Sequence, residues 1–212
     1  MFPMIILEGA CSMNNQNITK NIRQLKYNNN SMKNLYIIVF ILPLFFFGQV
    51  DYVIAYSPNG ELKSEGNINK ISGEKEGEWK FYYTNNQLKK TENYIEGELN
   101  GQYKSYYQNG KLKNEGNYKD NKKKGFWKFY YENGQVKTRE NYKYGYLRGS
   151  QKSYYDNGEL KSKGNIIGEG ILDGIWEFYY YTGQLREQHV YTSQILVSKK
   201  CFNKIGVRIK CP

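Results

Sequence analysis

The sequence is poor in the residues that most catalytic sites use. It holds one histidine, three cysteines and four prolines among 212 residues. A histidine that acts as a general base needs a nucleophile and an orienting group beside it, and no serine stands in a nucleophile elbow. No glycine-rich phosphate loop opens a helix pattern, and histidine and cysteine do not cluster at metal-ligand spacing. We therefore expect no enzymatic activity, no cofactor and no metal ion.

Aliphatic residues are also scarce outside one stretch at residues 35–47. The chain has 22 tyrosines and 21 glycines instead, and these residue types are typical of strands and tight turns. This composition disfavours long helices. The core of such a protein must be built largely from aromatic rings, which bury a large area per residue.

Acidic residues are outnumbered by basic ones. The chain has 31 lysines and arginines against 20 aspartates and glutamates, so its formal net charge is +11. A basic balance gives affinity for anionic partners such as lipid headgroups, nucleic acid or acidic proteins. A lysine-rich surface also serves solubility alone, so the charge by itself selects no partner.

Residues 1–48 are predicted to be a leader. From Met32 the chain has a basic start, an apolar run at residues 35–47 and then the small residue Gly48. These are the three parts of a secretory signal peptide, which places the signal at residues 32–48 and the mature start close to Gln49. The protein is then expected in the periplasm, in the envelope or outside the cell. The run is shorter than the roughly 20 residues of a membrane helix, and an uncleaved membrane anchor formed by residues 35–47 is the alternative.

Two cysteines lie outside the leader, Cys201 and Cys211, in a C-terminal segment at residues 192–212. An even pair in an exported protein is most simply a disulfide. Two thiols without nearby histidine or further cysteine fall short of a zinc site. We therefore predict a disulfide between Cys201 and Cys211.

The rest of the chain repeats itself with a period of about 24 residues. Tyrosine pairs recur at this spacing: Tyr82-Tyr83, Tyr106-Tyr107, Tyr130-Tyr131, Tyr154-Tyr155 and, 25 residues later, Tyr179-Tyr180. Turn sequences follow at Asn59-Gly60, Asn85-Asn86, Asn109-Gly110, Asn133-Gly134, Asn157-Gly158 and Thr182-Gly183. Asn-Gly between strand-like runs predicts a two-residue hairpin turn with both residues at positive φ. The fold is therefore predicted to be all-β, an elongated antiparallel meander of tandem hairpins that forms one twisted sheet layer.

A two-residue turn also fixes the register of its hairpin. With strands at residues 79–84 and 87–94, Trp79 lies opposite Glu92, Phe81 opposite Lys90 and Tyr83 opposite Leu88. The corresponding tyrosine pairs in the other hairpins are Tyr107–Leu112, Tyr131–Val136, Tyr155–Leu160 and Tyr180–Leu185. This face is predicted to be the core.

Three tryptophans lie on the predicted core face at every second unit, so the true repeat is predicted to be a pair of hairpins of about 48 residues. They are Trp79, Trp127 and Trp176. The same register places Trp127 opposite Glu140 and Trp176 opposite His189. It also predicts that Tyr103 lies opposite Gly116 and that Gln151 lies opposite Gly164. His189 stands where other units carry glutamate or glycine, so we interpret it as a repeat residue.

The opposite face is predicted to carry a ring beside a cation in every hairpin. The five predicted pairs are Tyr82 with Lys89, Tyr106 with Lys113, Tyr130 with Lys137, Tyr154 with Lys161 and Tyr179 with Arg186. Cross-strand pairs of this kind stabilise a sheet without binding anything. The regular spacing also makes them the candidate binding face of the protein.

The pattern Gly-x-Trp-x-x-Tyr-Tyr-x-Asn-Gly-x-Leu-Lys occurs at residues 125–137, with Val136 in the leucine position, and less completely at residues 77–89 and 174–186. It resembles the bacterial variant of the MORN-repeat family over residues 52–191. Proteins that resemble this family are widely described as antitoxin components of toxin–antitoxin systems. Eukaryotic MORN arrays are associated with membrane and protein binding.

Two functions follow as hypotheses. One is a non-enzymatic scaffold that binds a partner protein along the sheet, as the resemblance to antitoxin-type proteins implies. The other is a basic, tyrosine-rich face that binds an anionic membrane surface, a lipid headgroup or another polyanion through cations and aromatic rings. A protein partner is expected before an anionic surface, and nucleic acid is not expected.

Overall fold

A computed structural model describes residues 50–212 and the backbone of residues 5–6. The predicted leader, including its signal segment at residues 32–48, otherwise lies outside the described residues. The strands are β1 (Ile5–Ile6), β2 (Val50–Tyr56), β3 (Leu62–Asn69), β4 (Lys75–Tyr82), β5 (Leu88–Ile95), β6 (Glu98–Tyr106), β7 (Leu112–Lys119), β8 (Lys122–Tyr130), β9 (Val136–Lys143), β10 (Tyr146–Leu147), β11 (Gly149–Tyr154), β12 (Leu160–Ile167), β13 (Ile171–Tyr179), β14 (Leu185–Thr192), β15 (Ile195–Phe202) and β16 (Arg208–Ile209).

All sixteen strands belong to one antiparallel sheet. Neighbours in the sheet are neighbours in the chain from β1 to β9 and from β11 to β16, while β10 and β11 both pair with β9. The predicted all-β meander of tandem hairpins is confirmed. Among the described residues, no helix is long and apolar enough to cross a membrane.

The three tryptophans form the centre of the core, on what we call the tryptophan face. Trp127 is only 1% exposed, and Trp79 and Trp176 are buried as well. Trp127 lies opposite Glu140 and Trp176 opposite His189, as predicted. The predicted pairs Tyr103–Gly116 and Gln151–Gly164 are also present.

Each tryptophan ring lies flat against a glycine of the preceding strand. A Cβ atom on Gly116 would come within 2.2 Å of the Trp127 ring, and Gly66 and Gly164 stand in the same relation to Trp79 and Trp176. The Trp127 indole N–H donates to the carbonyl of Asn117 at 3.2 Å, which fixes the ring over its glycine. The indoles of Trp79 and Trp176 donate to the equivalent carbonyls of Asn67 and Asn165. Glycine is required at these positions because a side chain would occupy the volume of the ring.

Turns occur at all six predicted sites, but their geometry differs from the predicted two-residue turn. Gly134 has a φ of 95°, whereas Asn133 does not have positive φ. The N–H of Tyr131 donates to the carbonyl of Gln135 at 2.8 Å, and the N–H of Gly134 donates to the carbonyl of Tyr131 at 2.9 Å. This is a three-residue loop built on a type I turn with the glycine in the left-handed region. The predicted two-residue turns are therefore wrong at these sites.

Asparagine is used at these turns for its side chain. The Asn133 Oδ1 atom accepts the N–H of Gln135 at 2.9 Å, and its Nδ2 atom donates to the carbonyl of Asp156 in the next turn at 2.7 Å. Asn109 and Asn157 make the same two kinds of contact. The turns along this border of the sheet are thus joined to one another.

Two-residue turns with both residues at positive φ occur at the other ends of the strands. They are Glu96-Gly97, Asp120-Asn121, Tyr144-Gly145 and Ser193-Gln194. Because Asn-Gly is compatible with both kinds of turn, the dipeptide alone did not distinguish them.

A β-bulge in each hairpin follows from the three-residue loop. Phe81 lies opposite Lys90 and Trp79 opposite Glu92, as predicted, but Tyr82 lies opposite Leu88 and leaves Lys89 as an extra residue. The three-residue loop shifts the pairing next to the turn by one residue relative to the predicted register. The bulge at Lys89 cancels this shift, so the core residues further from the turn have their predicted partners. The predicted pairs that are wrong by one residue for this reason are Tyr83–Leu88, Tyr107–Leu112, Tyr131–Val136, Tyr155–Leu160 and Tyr180–Leu185.

The second tyrosine of each pair connects its unit to the next. The phenol of Tyr107 donates to the backbone carbonyl of Tyr130 at 2.6 Å. The other four bonds of this tyrosine relay run from Tyr83 to Tyr106, from Tyr131 to Tyr154, from Tyr155 to Tyr179 and from Tyr180 to Phe202. Each unit therefore holds the backbone of the following unit.

The C-terminal segment continues the sheet with β15 and the short strand β16. A turn at residues 203–206, which the Asn-Gly pattern did not predict, joins them. Cys201 and Cys211 form a disulfide with their Cα atoms 5.2 Å apart, as predicted. The disulfide closes the last turn against β15.

Candidate binding face

The predicted tyrosine and cation pairs do not form on one face. The bulge places Tyr82 opposite Leu88 and brings the Lys89 Nζ atom to 5.5 Å from the ring centroid of Tyr83, the second tyrosine of the pair. Lys113, Lys137 and Lys161 lie in the same way over the second tyrosines Tyr107, Tyr131 and Tyr155. In the last hairpin the Arg186 Nε atom lies 3.6 Å from Glu187. Binding by these residues stays a prediction, but they are not a single ladder.

The first tyrosines of the pairs lie on the face opposite the tryptophans, and three of them bond to carboxylates. Tyr82 donates to Glu65 at 2.6 Å, Tyr130 to Glu115 at 2.6 Å and Tyr179 to Glu177 at 2.7 Å. The first tyrosines Tyr106 and Tyr154 make no such bond to a carboxylate within the described chain. Burial, with the bond to Glu115, raises the pKa of Tyr130 to about 12. These phenols are neutral donors at physiological pH.

A row of charged side chains crosses this opposite face. Residues directly opposite one another in neighbouring strands share a face, and Lys128 alternates with the core residues Trp127 and Phe129 along β8. Lys128 lies opposite Arg139 and Arg139 opposite Lys152. Lys152 in turn lies opposite Lys163. We call Lys128, Arg139, Lys152 and Lys163 the basic row.

Carboxylates bound the basic row at both ends. Glu115 lies opposite Lys128, with 3.4 Å between the carboxylate and the ammonium group, and Glu177 lies opposite Lys163 at 2.8 Å. The Lys163 ammonium, followed by the Tyr179 hydroxyl, lowers the pKa of Glu177. The hydrogen bond from Tyr130, followed by the Lys128 charge, lowers the pKa of Glu115. Both carboxylates are therefore ionised and partly neutralise the ends of the row.

The two central cations have no such partner. Within the described residues, neither Arg139 nor Lys152 has a carboxylate within 4 Å. The guanidinium carbon of Arg139 lies 5.6 Å from the ring centroid of Tyr154, a contact that restricts a flexible side chain. Like charges directly opposite in a sheet are destabilising, so the middle of the row carries an uncompensated positive charge.

Two large apolar side chains project from the same face. Phe126 precedes Trp127 and is 76% exposed, and Ile175 precedes Trp176 and is 57% exposed. They occupy equivalent positions in successive 48-residue units, on β8 and β13. The basic row lies on the strands from β8 to β12, so the two apolar residues stand on its first strand and one strand beyond its last.

Comparison with protein families finds five copies of a repeat described as the MORN repeat variant, at residues 75–96, 99–120, 125–144, 147–167 and 172–192. Each copy contains one hairpin of the sheet. The chain belongs to this family. A search of curated proteins gives no match for it. The five copies lie between residues 75 and 192, and the hairpin of β2 and β3 extends the same sheet before the first copy.

MORN repeats generally form scaffolds that bind proteins or membranes. Among residues 50–212, no three side chains of His, Cys, Asp or Glu stand close enough to hold a metal ion. His189 contacts the Tyr191 hydroxyl and the Glu187 carboxylate, both on its own strand. It lies within the tryptophan face, beside the ring of Phe178.

The cations of the tryptophan face are already engaged by the MORN core. The Lys75 ammonium lies 4.7 Å from the ring centroids of Trp79, Phe81 and Tyr94. Lys123 stands in an equivalent group of rings around Trp127. Burial lowers the pKa of both lysines. These side chains complete the core and are less available to a ligand than the basic row.

Sequence reasoning missed the basic row because the row crosses between hairpins. The turn of one hairpin relates Lys128 to Arg139, but the pairing of Arg139 with Lys152 depends on the register between β9 and β11. The strand beside β9 is interrupted there, because β10 and β11 pair with β9 as two separate strands. The exposed Phe126 had a usable signal, since it falls in the alternating position of the predicted strand where a polar residue is expected.

Proposed function

We propose that this MORN array is a scaffold that binds a partner protein on the face opposite the tryptophans. The observation that supports it most is the exposure of Phe126 and Ile175 on that face, on either side of charged residues. Aromatic residues and arginine are enriched in protein-binding surfaces, and Phe126 and Arg139 lie on this face.

The resemblance to antitoxin-type proteins suggests one form of this function, the neutralisation of a toxic partner by docking on the array. Its support is the repeat pattern alone. The proposal that the partner is a toxin is tested by identifying the protein that the array captures.

We further propose that the protein is exported, with the signal at residues 32–48. The basic start and the apolar run at residues 35–47 support this, and a disulfide between Cys201 and Cys211 suits an oxidising compartment. N-terminal sequencing of envelope or secreted material is expected to begin close to Gln49. An intact Met1 or Met32 in soluble cytoplasmic material would contradict export.

The second candidate function is binding of an anionic membrane surface or another polyanion, and the basic row favours it. The two functions differ in their response to salt. Binding to a polyanion weakens steeply as the salt concentration rises because counterions are released. A protein interface with apolar anchors responds less.

The test of partner binding is affinity capture with matched variants of the exported chain. Phe126→Ser with Ile175→Ser removes both apolar anchors, and Ile71→Ser with Ile205→Ser removes two isoleucines that are more exposed than either anchor and lie in turns. We expect the first double variant to lose the captured partner and the second to retain it. Equal capture by both variants would contradict the assignment of this face.

A further inference from the structure

The basic row has the dimensions of a short binding site. Neighbouring strands lie about 4.8 Å apart, so four cations on four adjacent strands span about 14 Å. An extended peptide advances about 3.3 Å per residue, which makes this span equal to four or five residues. The four cations are all exposed to solvent.

We infer that the basic row binds a short acidic segment of a partner protein, which lies extended across β8, β9, β11 and β12. This inference rests on the proposed function and names the chemistry of the partner. The segment carries aspartate or glutamate side chains that pair with Arg139 and Lys152, the two cations without a carboxylate. Arg139 is the anchor of the site, because a guanidinium presents two parallel N–H groups to one carboxylate.

The ends of the row select a short ligand. Glu115 and Glu177 follow the terminal cations on the next strands, and a long polyanion that continued across the sheet would meet these carboxylates. A flat anionic membrane would likewise cover both glutamates. An acidic peptide of four or five residues covers the four cations alone, and its flanking apolar residues reach Phe126 on β8 and Ile175 on β13.

The probe is a fluorescent peptide with five consecutive glutamates and a leucine at each end, and its control has glutamine in place of glutamate. Binding to the exported chain is measured by fluorescence anisotropy at low and at physiological salt. We expect the glutamate peptide to bind and the glutamine peptide to bind at least tenfold more weakly.

Two double variants with the same net charge locate the site. Arg139→Gln with Lys152→Gln neutralises the centre of the row, and Lys204→Gln with Lys210→Gln neutralises two exposed lysines of the C-terminal segment. We expect the first to weaken peptide binding at least tenfold and the second by less than twofold. The melting temperature of the first variant should be equal to or above that of the wild type, because repulsion between opposed cations is relieved.

Several results would overturn the inference. An equal loss of peptide binding in both double variants would show an effect of net charge alone. A fall in the melting temperature of the Arg139→Gln, Lys152→Gln variant would show that these cations have a structural role. Tighter binding of phosphatidylserine vesicles or of a short nucleic acid through the same residues, without peptide binding, would reject a protein segment as the occupant. Partner capture that depends on Phe126 and Ile175 but not on Arg139 and Lys152 would reject this inference and leave the proposed function standing.

Discussion

Replacement of Gly116 by alanine tests the packing of the tryptophan face. A Cβ atom at this position would lie 2.2 Å from Cδ2 and 2.3 Å from Cε2 of Trp127. Both distances are far below van der Waals contact, and the ring is 1% exposed and held by its bond to Asn117. The backbone of Gly116 is not at positive φ, so the destabilising effect of the substitution comes from the clash with the ring.

The expected cost is the cost of overpacking a rigid core, about 1–3 kcal/mol. We expect the upper part of this range, because the ring cannot move without losing its hydrogen bond to Asn117. For a chain of this size, each kcal/mol corresponds to a fall of roughly 2–4 °C in the melting temperature. Gly116→Ala should therefore lower the melting temperature by roughly 4–12 °C.

A double-mutant cycle separates the clash from other effects of the new side chain. In the background of Trp127→Ala, which itself removes a buried ring at a cost of about 3–5 kcal/mol, Gly116→Ala should be neutral or stabilising by a few tenths of a kcal/mol, since alanine restricts the unfolded chain. Urea denaturation followed by circular dichroism gives both free energies of unfolding. An equal cost of Gly116→Ala with and without the Trp127 ring would refute the packing argument.

Three further predictions follow. Tyr107→Phe should lower the free energy of unfolding by about 1 kcal/mol, because the Tyr107 hydroxyl donates to the carbonyl of Tyr130. Tyr106→Phe should change the free energy by much less in the same urea titration, and equal effects of the two variants would contradict the tyrosine relay. Stability should fall as the pH rises from about 10 to about 12, because the unfolded chain ionises tyrosine at its ordinary pKa while the folded chain holds the pKa of Tyr130 at about 12; circular dichroism against pH measures this, and Tyr130→Phe should reduce the fall. Cys201→Ser with Cys211→Ser should destabilise the C-terminal strands by about 2–3 kcal/mol, seen as faster hydrogen exchange in β15 and β16, and unchanged exchange there would contradict a stabilising disulfide.

The sequence was sufficient for the features that repeat within one hairpin. The spacing of the tyrosine pairs located five of the six turns and the Asn59-Gly60 dipeptide located the other, and the alternation around Trp79 and Phe81 gave their correct partners, Glu92 and Lys90. These predictions succeeded because the core register is restored after every turn. The disulfide followed from the number of cysteines outside the predicted leader.

The sequence was not sufficient for the position of Lys89 and its equivalents. Asn-Gly fits a two-residue and a three-residue loop, and the choice between them moves Lys89 from Tyr82 to Tyr83. The asparagine contact to the next turn, which Asn109, Asn133 and Asn157 make, exists only once two hairpins stand side by side. The candidate face changed for the same reason, since the basic row depends on pairing between hairpins.

The bonds of the tyrosine relay all run in one direction along the chain, from an earlier unit to a later one. Each phenol from Tyr83 onward donates to a carbonyl that lies 22 to 24 residues later in the chain. During synthesis, the tyrosine of each unit finds its acceptor only after the next unit has been made. The last donor, Tyr180, needs Phe202, the neighbour of Cys201. The last bond of the relay and the disulfide therefore both hold strand β15 in place.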